Sequence, residues 1–207
     1  STSSERVDFA LTSAHSAEDS QALNDLTISG MTDQSVDIYT ADTVTARLVD
    51  SSGLEDSINV NLKSMTADKA AAQTITSIDI ADTIETLNLN ATGMKTGVSA
   101  VQKTVTTLTA DNSLTTLNLS GSDKLTITNL TAGKLATIDA STATGNLSLP
   151  GASSLVQTIT MGSGNDTLVM AGKLTAADVI DMGGNSAINA AGTLGVDTVT
   201  TTGNQGR

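Results

Sequence analysis

One turn in the chain carries oxygen-bearing residues at a spacing that calcium sites use. Residues 161–169 read MGSGNDTLV, which places Gly162, Gly164, Asp166 and Leu168 on a Gly-Gly-x-Gly-x-Asp-x-apolar-x pattern that lacks only its first glycine. Glycine lets backbone carbonyls point into a tight corner, and aspartate supplies the negative oxygen that a hard cation prefers. The spacing predicts either a calcium-binding corner or a metal-free turn between two strands, and both readings stay open.

One such corner cannot surround a calcium ion, because this cation takes about six to eight oxygen ligands. We expect the next corner, residues 183–186, to contribute ligands, with water filling the remaining positions. Since only one of the two corners carries a carboxylate, the expected affinity is weak, on the order of 10⁻⁴ to 10⁻³ M. The predicted metal ligands are Gly162, Gly164, Asp166, Gly183 and Asn185.

The rest of the residue inventory disfavours catalysis. The chain has no cysteine and one histidine, His15, which lies in a polar segment without periodicity. Neither a Gly-x-Ser-x-Gly elbow nor a His-Glu-x-x-His helix motif is present. Solenoid enzymes that cleave polysaccharides hold sugar with aromatic or basic side chains, whereas the aromatic residues here are Phe9 and Tyr39. We therefore predict that the protein is not an enzyme and that His15 is an exposed surface residue.

The excess of acidic residues limits the classes of partner that the chain is expected to bind. With 22 acidic and 10 basic residues, the formal net charge is −12. Nucleic-acid binding needs a basic patch for the phosphates, so this class of partner is not expected. The acidic surface is compatible with divalent cations and also with simple solubility. No apolar run approaches the roughly 20 residues of a membrane span, so none is predicted.

A repeat positions these residues. Four segments align, and their central apolar residues are Leu117, Ile138, Ile159 and Ile180, each 21 residues after the one before. A fixed period of this length is typical of a solenoid in which each repeat forms one coil. The composition agrees, because threonine is abundant and the chain has too few aromatic residues for a wide core.

Within each coil the pattern alternates, as in a half-buried strand. The residues predicted to stack inside are Leu117, Leu119, Ile138, Ala140, Ile159, Met161, Ile180 and Met182. Those predicted to form an outward polar ladder are Asn118, Asp139, Thr160 and Asp181. A second strand should follow in each coil, near Lys124, Asn146 and Thr167. Residues 93–108 are less regular and fit either a helix or a strand.

These patterns together predict an all-β protein, an elongated right-handed parallel β-solenoid with coils of about 21 residues. Residues 1–22 lack the periodicity and are expected to be a linker or an N-terminal cap. Residues 23–207 form the predicted solenoid domain, which we expect to be a fragment of a longer chain.

A family resemblance adds to this prediction. The run LATIDASTATGNLSL at residues 135–149, followed by ITMGSGNDTLVM at 159–170, resembles the repeats of RTX-type bacterial surface-layer (S-layer) proteins. The resemblance implies type I secretion, calcium-dependent folding, and a structural role in a two-dimensional lattice of copies on the extracellular cell surface. Cell-surface polysaccharide is a further expected partner. The chain departs from the family pattern by having one good nonapeptide instead of a tandem array.

Two other readings of the repeat remain. An adhesin or fibre passenger domain is also solenoidal and acidic, but binds a host or surface ligand instead of copies of itself. A leucine-rich repeat would fit the Leu114, Leu117 and Leu119 spacing. That fold prefers asparagine or cysteine three positions later, where Ser122 stands.

Overall fold

The structure is a computed structural model. It describes residues 26–31, 35–38, 43–48, 56–62, 72–80, 84–92, 101–110, 112–152, 155–184 and 196–201. The predicted N-terminal cap, residues 1–22, and its His15 lie outside the described residues, as does the predicted ligand Asn185.

All regular structure in the described residues is β-strand. The fifteen strands are β1 Leu26–Met31, β2 Ser35–Ile38, β3 Thr43–Leu48, β4 Ser57–Leu62, β5 Gln73–Ile80, β6 Thr86–Ala91, β7 Gln102–Ala110, β8 Thr116–Gly121, β9 Lys124–Ala132, β10 Thr137–Ala143, β11 Leu147–Pro150, β12 Thr158–Thr160, β13 Thr167–Val169, β14 Val179–Asp181 and β15 Thr198–Thr200. The ambiguous region that precedes Leu108 therefore ends in a strand, β7, and not in a helix.

The strands form two parallel sheets, and the chain alternates between them. The odd-numbered strands build an eight-stranded sheet in sequence order, and the even-numbered strands build a seven-stranded sheet, also in order. Every described strand pair is parallel. Successive strands of one sheet are thus separated by a strand of the other, so each coil contributes one strand to each sheet. This solenoid-like stack confirms the prediction of an all-β, parallel architecture.

The register brings the repeated residues together as predicted. Leu117 pairs with Ile138, Ile138 with Ile159, and Ile159 with Ile180, so that these four residues form one column across β8, β10, β12 and β14. The number of residues between paired positions of neighbouring strands is not the same throughout the sheet. Leu87 pairs with Leu117, which is 30 residues further on, because the connections before this point are longer.

The core is a narrow layer between the two sheets. In strands β4 to β13 buried positions largely alternate with more exposed ones, and the buried residues are almost all leucine, isoleucine, valine, methionine and alanine. Leu117, Ile138 and Ile159 are fully buried, whereas Ile180 in the last strand of its sheet is only partly buried. Aliphatic side chains can fill this layer because opposing residues need to span only the gap between two sheets.

The outward positions of the even-numbered sheet form the predicted polar ladder. Asn118, Asp139, Thr160 and Asp181 stand in register, and the two aspartates are exposed. Earlier in the sheet the ladder consists of amides that bond to one another. The Asn118 Nδ2 donates to the Asn88 Oδ1 over 2.7 Å, and the Asn88 Nδ2 donates to the Asn59 Oδ1 over 2.8 Å. Such chains of amide hydrogen bonds fix the register of neighbouring coils.

Candidate functional site

The predicted calcium corner connects β12 to β13, where its glycines allow two coils to stack closely. A Cβ on Gly162 would lie 2.2 Å from the Ala143 carbonyl oxygen, and one on Gly164 would lie 2.5 Å from that of Gly145. Real Cβ atoms do not approach an oxygen so closely, so both positions need glycine for steric reasons. The glycines of the motif therefore have a structural explanation in the coil below.

Asp166 lies at the end of this corner and is fully buried. Its Oδ1 accepts a hydrogen bond from the Leu147 backbone N–H in the preceding coil over 2.8 Å. Its Oδ2 accepts one from the Gly162 backbone N–H in its own coil over 3.1 Å. The carboxylate thus joins two coils and closes the turn at the same time. Charge-assisted bonds of this kind are stronger than those to neutral acceptors.

The electrostatics of Asp166 reflect two opposing influences. Burial and the nearby Asp197 raise the pKa of this carboxyl, whereas the hydrogen bonds from the Leu147 and Gly162 N–H groups lower it. The net pKa is above the usual aspartate value. Asp197 is close because its own Oδ1 accepts the Asp166 backbone N–H over 2.9 Å. The two carboxyl groups therefore follow one another in adjacent coils.

The second half of the predicted site, at Gly183, lies in the coil that follows. Gly183 adopts a left-handed conformation with φ of +73°, and a Cβ there would lie 2.0 Å from the Gly162 carbonyl oxygen. The Gly184 N–H donates to that same oxygen over 3.2 Å. The structure therefore brings Gly162 and Gly183 together as the sequence predicts.

Three oxygens of the predicted calcium corner take part in the backbone hydrogen bonding of the turn. Both Asp166 oxygens and the Gly162 carbonyl oxygen already accept a backbone hydrogen bond, and each keeps one further lone pair. Within the described residues, no cluster of three or more histidine, cysteine, aspartate or glutamate side chains is placed to hold a metal. The geometry at Asp166 is that of a closed turn, and calcium binding there stays a prediction.

Four acidic residues outside the calcium motif share one structural arrangement with Asp166. Each of these acidic residues lies directly before a strand. Its side chain accepts a hydrogen bond from a backbone N–H at the start of the neighbouring strand, one coil earlier in the chain. The donor–acceptor distances are 2.7–3.1 Å. We call these residues the strand-start carboxylates. They and their donors are Glu85 with Asp56, Asp123 with Val101, Asp166 with Leu147, Asp178 with Gln157, and Asp197 with Asp166.

Their physical role follows from where they stand. An N–H at the very start of a strand precedes the regular ladder, and a buried N–H without an acceptor is costly. A carboxylate from the next coil supplies that acceptor. The sequence signal that could have found them is an acidic residue immediately before each predicted strand.

In comparisons with known proteins, no family model, no curated protein and no solved structure matches the chain. Among the described residues, no helix has the length and apolar character that crossing a membrane requires.

Proposed function

We propose that this chain is a structural, self-associating protein of the extracellular cell surface, built as a right-handed β-solenoid with coils of about 21 residues over much of its length. Its fold offers repeated polar faces and a narrow aliphatic core. The S-layer resemblance of residues 135–149 and 159–170 supports the surface location. In this proposal the partners are further copies of the chain, with cell-surface polysaccharide as an anchor.

The observation that carries self-association is the exposure of core positions in β14 and β15, the last described strand of each sheet, which we call the open end. Leu168 in β13 is fully buried, but its partner in the same column, Val199 in β15, is 41% exposed. Ile180 in β14 pairs with the fully buried Ile159 but is itself only partly buried. Repeat proteins need a polar cap on the terminal coil, since an uncovered core residue favours association with another surface. A second copy that covers Val199 would extend the column.

Charge explains why this association should depend on cations. A protomer with a net charge of −12 repels its neighbours. Divalent cations can bridge carboxylates of two copies, such as the exposed Asp181 in β14, the last described strand of its sheet. Monovalent salt can only screen the repulsion. Calcium therefore acts between copies in this proposal, whatever its role at Asp166.

Sedimentation velocity tests the proposal with one variant and one matched control. Val199→Lys places a charge on the open end, whereas Thr142→Lys makes a comparable change in charge on an exposed lateral position. The wild type and Thr142→Lys should form larger species in calcium than in excess chelator or in sodium chloride of equal ionic strength. Val199→Lys should stay monomeric. If the wild type is a monomer in every buffer, the adhesin or fibre reading is favoured instead.

A further inference from the structure

A buried lysine, Lys103, lies among the inward-facing residues of the odd-numbered sheet. The inward column of β5, β7, β9 and β11 consists of Gln73, Lys103, Leu125 and Leu147, in direct register. Lys103 is fully buried, with 0% exposure, and is among the largest such side chains. An amine is costly to bury, and the next two positions of the same column hold leucine.

Gln73 in β5 and Asp123, directly before β9, have polar side chains close to the Lys103 amine. The Nζ donates to the Gln73 Oε1 over 3.1 Å and lies 3.8 Å from the Asp123 Oδ2. Gln73 and Asp123 are themselves buried, at 8% and 4% exposure. Asp123 is held in place because its Oδ1 accepts the Val101 backbone N–H over 3.1 Å. An amine, a carboxamide and a carboxylate therefore meet in one buried site.

The surroundings shift the Lys103 amine towards its neutral, nucleophilic form. Burial lowers the pKa of Lys103, and the negative charge of Asp123 opposes this effect in part. A desolvated, neutral lysine amine is a nucleophile, and an adjacent carboxylate can accept its proton. The register fixes the amine against the carboxamide, which gives the proximity that an intramolecular reaction needs.

We infer that Lys103 and Gln73 form an intramolecular amide cross-link between β5 and β7, with Asp123 as the proton-transfer residue. The Lys103 Nζ attacks the Gln73 Cδ, and one Nζ proton passes to the Asp123 carboxylate. Asp123 then returns that proton to the Gln73 Nε2. The Nζ–Cδ bond forms, the Cδ–Nε2 bond breaks, and ammonia leaves. No oxidant, reductant or other reactant is needed, and the Asp123 carboxylate is regenerated.

Such a bond would serve a protein of this composition. The chain has no cysteine, so disulfides cannot join its coils. Gln73 and Lys103 lie on adjacent strands but 30 residues apart in sequence, so an amide between them would close a long loop. A covalent closure of that kind restricts the unfolded chain. The cross-link is independent of whether the protein associates with copies of itself.

Intact mass spectrometry of the purified full chain under denaturing conditions tests the inference. The wild type should be lighter than its sequence by one ammonia. Digestion with trypsin should yield residues 70–95 joined to residues 96–124, with Lys103 uncleaved. Lys103→Met removes the nucleophile and should have the full sequence mass. Asp123→Asn keeps the shape of the carboxyl but cannot take the proton, and should also have the full mass.

Circular dichroism of both variants establishes that they fold, so that a full mass reports lost chemistry and not lost structure. A folded wild type at its full sequence mass would overturn the inference. A loss of water mapped to Lys103 and Asp123 would also overturn it, because the electrophile would then be the carboxyl group. A cross-linked Asp123→Asn would refute the role of Asp123 in proton transfer.

Discussion

Replacing Asp166 with alanine separates the two roles that this carboxylate can have. The change leaves the buried N–H groups of Leu147 and Gly162 without their acceptor. A buried donor without a partner costs about 1–3 kcal/mol, which gives about 2–6 kcal/mol for two. Removing a carboxylate whose charge is disfavoured by burial offsets part of this cost. We expect Asp166→Ala to lower the free energy of unfolding by about 2–4 kcal/mol.

Urea denaturation in millimolar calcium and in excess chelator measures this effect. If Asp166 acts as a backbone acceptor, Asp166→Ala should lose the same stability in both buffers. Asp166→Asn, which keeps one acceptor oxygen, should lose less. Asp139→Ala is the matched control, because Asp139 is exposed and accepts one N–H, from Ser141. The control should change stability by less than about 1 kcal/mol.

One result would refute the reasoning and support the calcium site. In that case Asp166→Ala would match the wild type in chelator. It would also fail to show the rise in melting temperature that calcium gives the wild type. If the wild type shows no such rise in millimolar calcium, the motif is a turn.

Three further predictions follow from the fold. Ile138→Asp should cost several kcal/mol because an unpaired charge enters a closed column, whereas Asp139→Asn should be nearly silent; equal melting temperatures would contradict the inward and outward assignment. Gly183→Ala should lose at least about 1–2 kcal/mol because Gly183 has a positive φ, and Gly184→Ala, whose Cβ would meet nothing within 4 Å, is the control for chemical denaturation. Burial would raise the pKa of Asp178, but hydrogen bonds from Thr175 and Gln157 outweigh it and lower that pKa. The stability from Asp178 should therefore be present above the unfolded value of about 3.9 and lost as pH falls through the folded pKa, so unfolding curves of Asp178→Asn should depend less on acid pH.

The architecture could be predicted because stacking imposes it on the sequence. Residues that face inward in successive coils must be apolar and in register, so Leu117, Ile138 and Ile159 recur at a fixed distance. The outward positions between them tolerate polar residues, which gives the strand its alternation. These constraints are local to each coil and are therefore visible in one sequence. The strand pairing before Leu117 could not be predicted from a fixed period, because the connections between those strands vary in length.

Lys103 shows what pattern reasoning cannot find. Lys103 occupies an inward position of β7. When the strand pairing is unknown, a polar residue at such a position suggests that the inward and outward positions of the strand have been assigned the wrong way round. The partners Gln73 and Asp123 lie 30 and 20 residues away in the chain, and neither separation matches the 21-residue period. Only the pairing of β7 with β5 on one side and with β9 on the other brings the three together. A buried polar cluster is thus a property of the register and not of any local motif.

The strand-start carboxylates also bear on how the calcium motif should be interpreted. Glu85 and Asp178 are not preceded by a Gly-x-Gly turn, yet each accepts the backbone N–H one coil earlier, as Asp166 does. An acidic residue directly before a strand is therefore useful in this fold without any metal. The glycines before Asp166 have a separate reason, because Gly162 lies against the carbonyl of the coil below. Each part of the motif has its own structural cause, so the agreement of Gly162, Gly164 and Asp166 with a calcium pattern is weak evidence for an ion. The chelator experiment on Asp166→Ala decides between the two explanations.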